Sequence, residues 1–231
     1  VDMKVRHEVT AIHPDRKTVR VRNLETGEEW EERYDKLILS PGAKPTQPRV
    51  PGTGLDRVFT LRTVEDTFRI KKFIEERRPE SAVLAGGGFI GLELAENLRE
   101  LGMEVTIVQR PGQLMNPFDP DMAAFIHSEM RRHGVKLALG RTVEGFAERG
   151  GGVDVLLTDG AALSAGMVVL AIGVTPDTAL AREAGLELGV KGSIVVNDRM
   201  ETSAPDIYAV GDAVQVRHAV TGQDALISLA G

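Results

Sequence analysis

The chain has 231 residues, 42% of them apolar and 27% charged, with 28 Lys and Arg against 34 Asp and Glu and no cysteine. That length holds one large domain or two small ones, each with a sizeable core, and the composition excludes disordered and fibrous classes. A net charge of -6 argues against a nucleic-acid partner, and the missing cysteine excludes disulfides, thiolate metal sites and a cysteine nucleophile within these residues.

The opening reads as β structure. Met3, Val5, Val9 and Ala11 alternate with polar residues, Val19 and Val21 alternate with Arg20 and Arg22, and Thr26-Gly27 supplies a turn before Glu28 to Tyr34. Lys36 to Ser40 is predicted as a short buried strand halted by Pro41-Gly42. From Pro41 to Gly54 four prolines and three glycines exclude a helix or an inner strand and mark a domain boundary. Beyond it, Thr63 to Arg78 has the spacing of an amphipathic helix. Ser81 to Ala85 predicts a strand, Phe89 to Leu101 a helix, Glu104 to Val108 a strand and Asp119 to His133 a helix. Strands are predicted at Val135 to Leu139, Val143 to Phe146, Val153 to Thr158 and Met167 to Ile172. Strand, helix, strand with apolar strands means a parallel sheet in an α/β domain. No apolar run is long enough to span a bilayer, so no membrane is expected.

One stretch carries chemistry. Gly86, Gly88 and Gly91 form G-x-G-x-x-G between a predicted strand and a predicted helix. Gly86 allows a tight turn, Gly88 lets backbone approach a pyrophosphate, and Gly91 lets the helix pack close on the sheet. Phe89 and Ile90 lie inside the motif and join it as candidate contacts. Glu93 is either a nicotinamide-side contact or an exposed helical acid. The second strand of such a unit often ends in an acid for the ribose 2′-hydroxyl. Here Gln109-Arg110 stand 18 and 19 residues beyond Gly91, so the acid is absent and a cation follows, which favours NADPH over NADH or relaxes the choice. The five histidines lack ligand spacing, and no metal site is expected. Met115, Met122 and Met130 read as core filler.

Four stretches together resemble the FAD-dependent pyridine nucleotide-disulfide oxidoreductases. They are Tyr34 to Ala43, the Gly86 to Gly91 motif, Val169 to Pro176, and Thr202 to Asp212, in the family's order and across essentially the whole chain. Val58 to Arg62, Gly87 to Glu93, Val220 to Gln223 and Leu229-Ala230-Gly231 resemble the coenzyme A-disulfide reductase, NADH oxidase and polysulfide reductase branch. The resemblance implies an NAD(P)H-binding Rossmann-like domain (59–185) inserted into a partial FAD-binding domain (1–58 and 186–231). It assigns Gly173 to NAD(P)H and Gly42, Gly211 and Asp212 to FAD. It also implies hydride transfer from NAD(P)H to FAD and on to CoA disulfide, a persulfide or polysulfide through a redox cysteine.

Several expectations follow from the resemblance. The FAD pyrophosphate loop and the cysteine fall before Val1, and a dimerisation domain after Gly231, so the chain is expected to be an internal piece, inactive alone, of a cytoplasmic homodimer. The start at Val1 and the apolar ending agree with a cut piece. The same motifs fit an NADH oxidase or peroxidase and a ferredoxin- or nitrite-reductase flavoprotein. A non-catalytic dinucleotide-binding module is the alternative of another class.

Overall fold

The computed structural model describes residues 1–227; the Leu229-Ala230-Gly231 stretch lies outside the described residues. The chain divides into two compact units, Val1–Lys44 with Thr175–Gly231, and Pro45–Val174.

In the second unit, strands Val58–Thr60, Met167–Leu170, Ser81–Ala85, Glu104–Gln109 and Lys136–Leu139 lie side by side in that order, every pair parallel. Side chains alternate across a strand, so each strand feeds two cores. Ala82 and Leu84 face a core that includes Ile70, Ala95 and Leu98 of the helices Val64–Arg77 and Phe89–Glu100. Val83 and Ala85 face another, built with Phe146, Val153, Val155 and Leu157 of a three-stranded antiparallel sheet. Burial on both faces explains why the inner strands Ser81–Ala85 and Met167–Leu170 read as apolar runs rather than alternating.

Helix ends fall close to their predicted places. Thr63 caps Val64–Arg77 in a reciprocal capping box with Asp66, and Arg78 ends it in the left-handed region at φ 42°. Pro120–Arg132 begins after Asp119 with proline at its first position.

In the first unit, His7–His13, Thr18–Asn23 and Glu29–Arg33 form an antiparallel sheet. Its Ile12, Val19 and Val21 pack with Ala181, Ile194, Ile207 and Ala209. Met3 and Val5 are exposed and precede the first strand, so the alternation is structural only from His7 onward. Leu37–Leu39 pairs in parallel with Ile207–Ala209. The prediction of a buried strand here holds for its position and not for its burial, because Ile38 is 66% exposed and the strand has a partner on one side among the described residues.

Asp206, in the left-handed region at φ 61°, ties this pair to the antiparallel sheet by accepting from Lys17 and from Lys36, the latter at 2.7 Å. The hydrogen bonds from Lys17 and Lys36 hold its carboxyl at about 2, below the ordinary 3.8. A depressed carboxylate pKa adds stability that is present above pH 3.8 and lost as pH falls through 2. Asn tolerates the same backbone, so Asp206→Asn isolates the charge. The variant is expected to unfold at a lower temperature than wild type at pH 7. The gap should close as pH falls from 4 towards 2, as thermal unfolding followed by circular dichroism would read.

Candidate functional site

The loop after Ser81–Ala85 is fixed by contacts that only glycine allows. Gly86 has φ 118°, and a Cβ there would lie 2.1 Å from the Ala171 carbonyl oxygen. A Cβ on Gly91 would lie 2.1 Å from the carbonyl oxygen of Gly86, so the helix sits against the loop as closely as backbone permits. Gly88 is different: a Cβ there would meet nothing within 4 Å. Gly86 and Gly91, the positions predicted for turn and packing, are therefore sterically obligatory, while Gly88 borders open space where a ligand could lie.

The helix end facing that space is electrostatically bare. Phe89–Glu100 starts from Gly88 with no side-chain cap and no acid in its first turn. By contrast, Val64–Arg77 carries Glu65 and Asp66 in its first turn and Pro120–Arg132 carries Asp121. An uncapped helix start presents N–H donors and roughly half a positive charge, which suits a phosphate.

The other candidates fall into place around this loop. Phe89 is exposed, and Ile90 and Glu93 line a cleft of about 270 Å³ with Leu61, Arg62, Leu94 and Asn97. Glu93 is exposed on the helix, so it is both a surface acid and a wall of that cleft. Ala171 donates its N–H to Ala85 O at 2.7 Å, which lays the segment leading to Gly173 (φ 102°) beside the loop. Gln109 ends its strand next to the loop, and its Oε1 accepts the Gly87 N–H at 2.9 Å. Arg110 follows at the surface.

Some neighbours of the loop were not foreseen. Gly87 is buried, and a Cβ on it would lie 2.4 Å from Leu114 Cδ2. Its carbonyl accepts the Met115 N–H at 2.8 Å. The Leu114 N–H in turn donates to His127 Nε2 at 2.9 Å, and burial, then the Arg131 charge, lower the His127 pKa below its ordinary value. Only the middle glycine of the Gly86-Gly87-Gly88 run hinted at this crowding.

The FAD candidates lie in the other unit. Leu37–Leu39 and Ile207–Ala209 end side by side, followed by Gly42 at φ 70° and by Gly211 at φ 82°, with Asp212 next in a short 3-10 turn. A Cβ on Gly211 would sit 3.6 Å from Ser40 Oγ. The structure thus brings Gly211 and Asp212 to the carboxyl ends of paired parallel strands, where α/β folds bind ligands.

A sequence model of the family described as pyridine nucleotide-disulphide oxidoreductase matches residues 1–225. The chain is 38% identical to an NADH oxidase of Methanocaldococcus jannaschii, over 95% of the chain and 49% of the relative. It is 35% identical to coenzyme A disulfide reductase of Staphylococcus aureus, over 92% of the chain and 47% of the relative. The chain thus spans about half the length of these curated relatives.

Among solved structures, reduced CoADR-RHD of Bacillus anthracis superposes with a TM-score of 0.94 at 46% identity, over 99% of this chain and 41% of that one. An NAD-dependent persulfide reductase from A. fulgidus gives 0.91 at 35%, over 96% and 41%. An engineered water-forming NADPH oxidase bound to NADPH gives 0.90 at 34%, over 96% and 49%. Its substitutions include an aspartate-to-alanine change followed at the next position by an alanine-to-arginine change.

The steric contrast within the loop is directly testable. Gly91→Ala is expected to lower stability by about 1–3 kcal/mol through overpacking. Gly88→Ala should fold within about 1 kcal/mol of wild type, as an N-cap change of this size does, yet lose dinucleotide affinity at least tenfold. Denaturant unfolding and calorimetric titration with NAD+ and NADP+ read the two effects separately.

Proposed function

The chain belongs to the FAD-dependent pyridine nucleotide-disulphide oxidoreductase family, and from that membership we propose that its full-length protein is an NAD(P)H-dependent flavoenzyme that reduces a sulfur substrate such as CoA disulfide, a persulfide or polysulfide. The observation that carries the reading is the bare helix start behind the glycine loop, set in a chain that matches the family over nearly its whole length. Residues 59–185 are assigned to NAD(P)H, and 1–58 with 186–231 to FAD.

In this assignment Gly86 and Gly91 shape the loop, and the N–H groups at the start of Phe89–Glu100 hold the pyrophosphate of the dinucleotide. Ile90 and Glu93 would line the nicotinamide side, with Gly173 just beyond the carboxyl end of the neighbouring parallel strand. Gly42 and Gly211 give close backbone approach for the flavin nucleotide, and Asp212 accepts from its ribityl chain. When bound, the two cofactors supply hydride chemistry, and the electrons reach the sulfur substrate through a redox cysteine that residues 1–231 do not contain. The homodimer and the cytoplasmic location expected from the resemblance belong to the same proposal.

A second reading is favoured by the identity to an NADH oxidase: the same half-reaction feeding oxygen instead of a sulfur bond. Full-length enzyme mixed with NADPH or NADH under nitrogen should bleach its flavin absorbance. With CoA disulfide added, it should release two thiols per nicotinamide oxidised, counted with a thiol reagent. Oxygen consumption without thiol release would install the oxidase reading, and no bleaching by either nucleotide would overturn both.

Cofactor choice is assigned to NADPH on Gln109 and Arg110, with no acid to accept from a ribose hydroxyl and a guanidinium able to pair with a 2′-phosphate. The engineered NADPH oxidase supports this, since its changes also remove an acid and place an arginine next to it. Arg110→Ala is expected to weaken NADP+ about tenfold and leave NAD+ within twofold, as calorimetric titration would show. An unchanged preference would refute the assignment.

A further inference from the structure

We propose that His127 is a positioning residue for the dinucleotide loop, acting through the Arg110 to Phe118 segment that braces Gly87. The proposal rests on the reading of Gly86 to Gly91 as the dinucleotide site.

Gly87 is held from two sides. Gln109 Oε1 accepts its N–H at 2.9 Å, and Met115 N–H donates to its carbonyl at 2.8 Å. Leu114 is fully buried and fills the space in front of Gly87. Met115 sits in the left-handed region at φ 46°, a conformation a methionine keeps only where its surroundings over-determine it. Those surroundings include a closed turn, with Phe118 N–H on Met115 O at 2.8 Å and Gln113 Nε2 on Phe118 O at 2.8 Å. They also include contacts from outside the segment: the Gly140 N–H on Pro111 O at 3.0 Å and, next to Met115, the Leu114 N–H on His127 Nε2 at 2.9 Å. His127 therefore anchors from the helix Pro120–Arg132 the segment that presses on the loop.

The contact has a chemical condition. Nε2 accepts only in the neutral imidazole carrying its proton on Nδ1; an imidazolium would set a donor against the Leu114 N–H. Burial and Arg131, one turn along the same helix, favour the neutral form. The segment facing it carries Arg110, with Asp119 at the helix start. The neighbouring strand Lys136–Leu139 carries Lys136, which is paired with Glu104 at 2.8 Å. Of these charges only Arg131 contributes to the shift. Protonation below the ordinary imidazole range, near pH 6.5, would release Leu114 and with it the brace on Gly87, so dinucleotide affinity should fall with pH.

The test is calorimetric titration of the full-length holoenzyme with NAD+ and NADP+ between pH 8 and pH 5.5, in wild type, His127→Gln and His127→Phe. Glutamine offers an acceptor near the Nε2 position that does not titrate, and phenylalanine offers none. At pH 7.5, His127→Phe should bind about tenfold more weakly and His127→Gln within twofold of wild type. The ratio of wild-type to His127→Gln dissociation constants should rise between pH 7.5 and 5.5, by less than tenfold because the His127 pKa lies below its ordinary value, and taking the ratio cancels titration of the nucleotide itself. Should His127→Phe fail to fold, the His127→Gln profile alone decides. A ratio that stays flat, or a folded His127→Phe that binds like wild type, would overturn the proposal. Wild type that binds neither nucleotide at pH 7.5 would instead overturn the dinucleotide reading itself.

Discussion

The closeness of the Gly91 backbone to the Gly86 carbonyl is the constraint on which the nucleotide-binding unit depends. A side chain there would have to occupy a point 2.1 Å from that oxygen. Without one, the helix Phe89–Glu100 lies directly against the end of the Ser81–Ala85 strand, and its first N–H groups open onto the space beside Gly88. The same closeness lets Ala95 and Leu98 reach the sheet and join the core around Leu84 and Ile107. Packing and binding geometry thus follow from one absent Cβ. The strand itself cannot yield, because helices cover one of its faces and an antiparallel sheet the other.

Much of this was legible from residue types alone. The glycine spacing, the apolar strands and the helix Val64–Arg77 follow local rules, in which a few neighbouring residues decide the outcome. What escaped depends on side-chain direction and on distant partners. Gln109 was placed correctly at its strand end, yet its carbonyl oxygen turns to Gly87, and nothing in a sequence reports which way an amide points. His127 lacked ligand spacing and was set aside, because its partner is a backbone N–H thirteen residues earlier rather than a metal. Met115 read as core filler and is buried, but the N–H it lends to Gly87 is invisible to residue type. Ile38 looked buried because apolar runs usually are, and burial of a strand depends on neighbours that its own letters do not specify.

Charge is used in two distinct ways in the two units. Around Asp206, opposite charges are brought together to join segments far apart in the chain, Lys17 and Lys36 on one side and the turn before Ile207 on the other. Around Gly88, charge is withheld: no acid or capping hydroxyl satisfies the helix start, although Thr63 and Asp66 supply hydroxyl and acid one helix earlier. The first arrangement serves stability within the fold. The second leaves the N–H donors of the helix start open beside Gly88.

The Leu37–Leu39 strand has a further meaning. Its inner edge is paired with Ile207–Ala209, and its outer edge carries backbone donors and acceptors with no strand beside them among the described residues. With Ile38 standing out from it, that edge is a template for one more β-strand. A polypeptide limited to these 231 residues would carry its own adhesive border. At three residues that border is short, which limits how firmly another strand could hold to it.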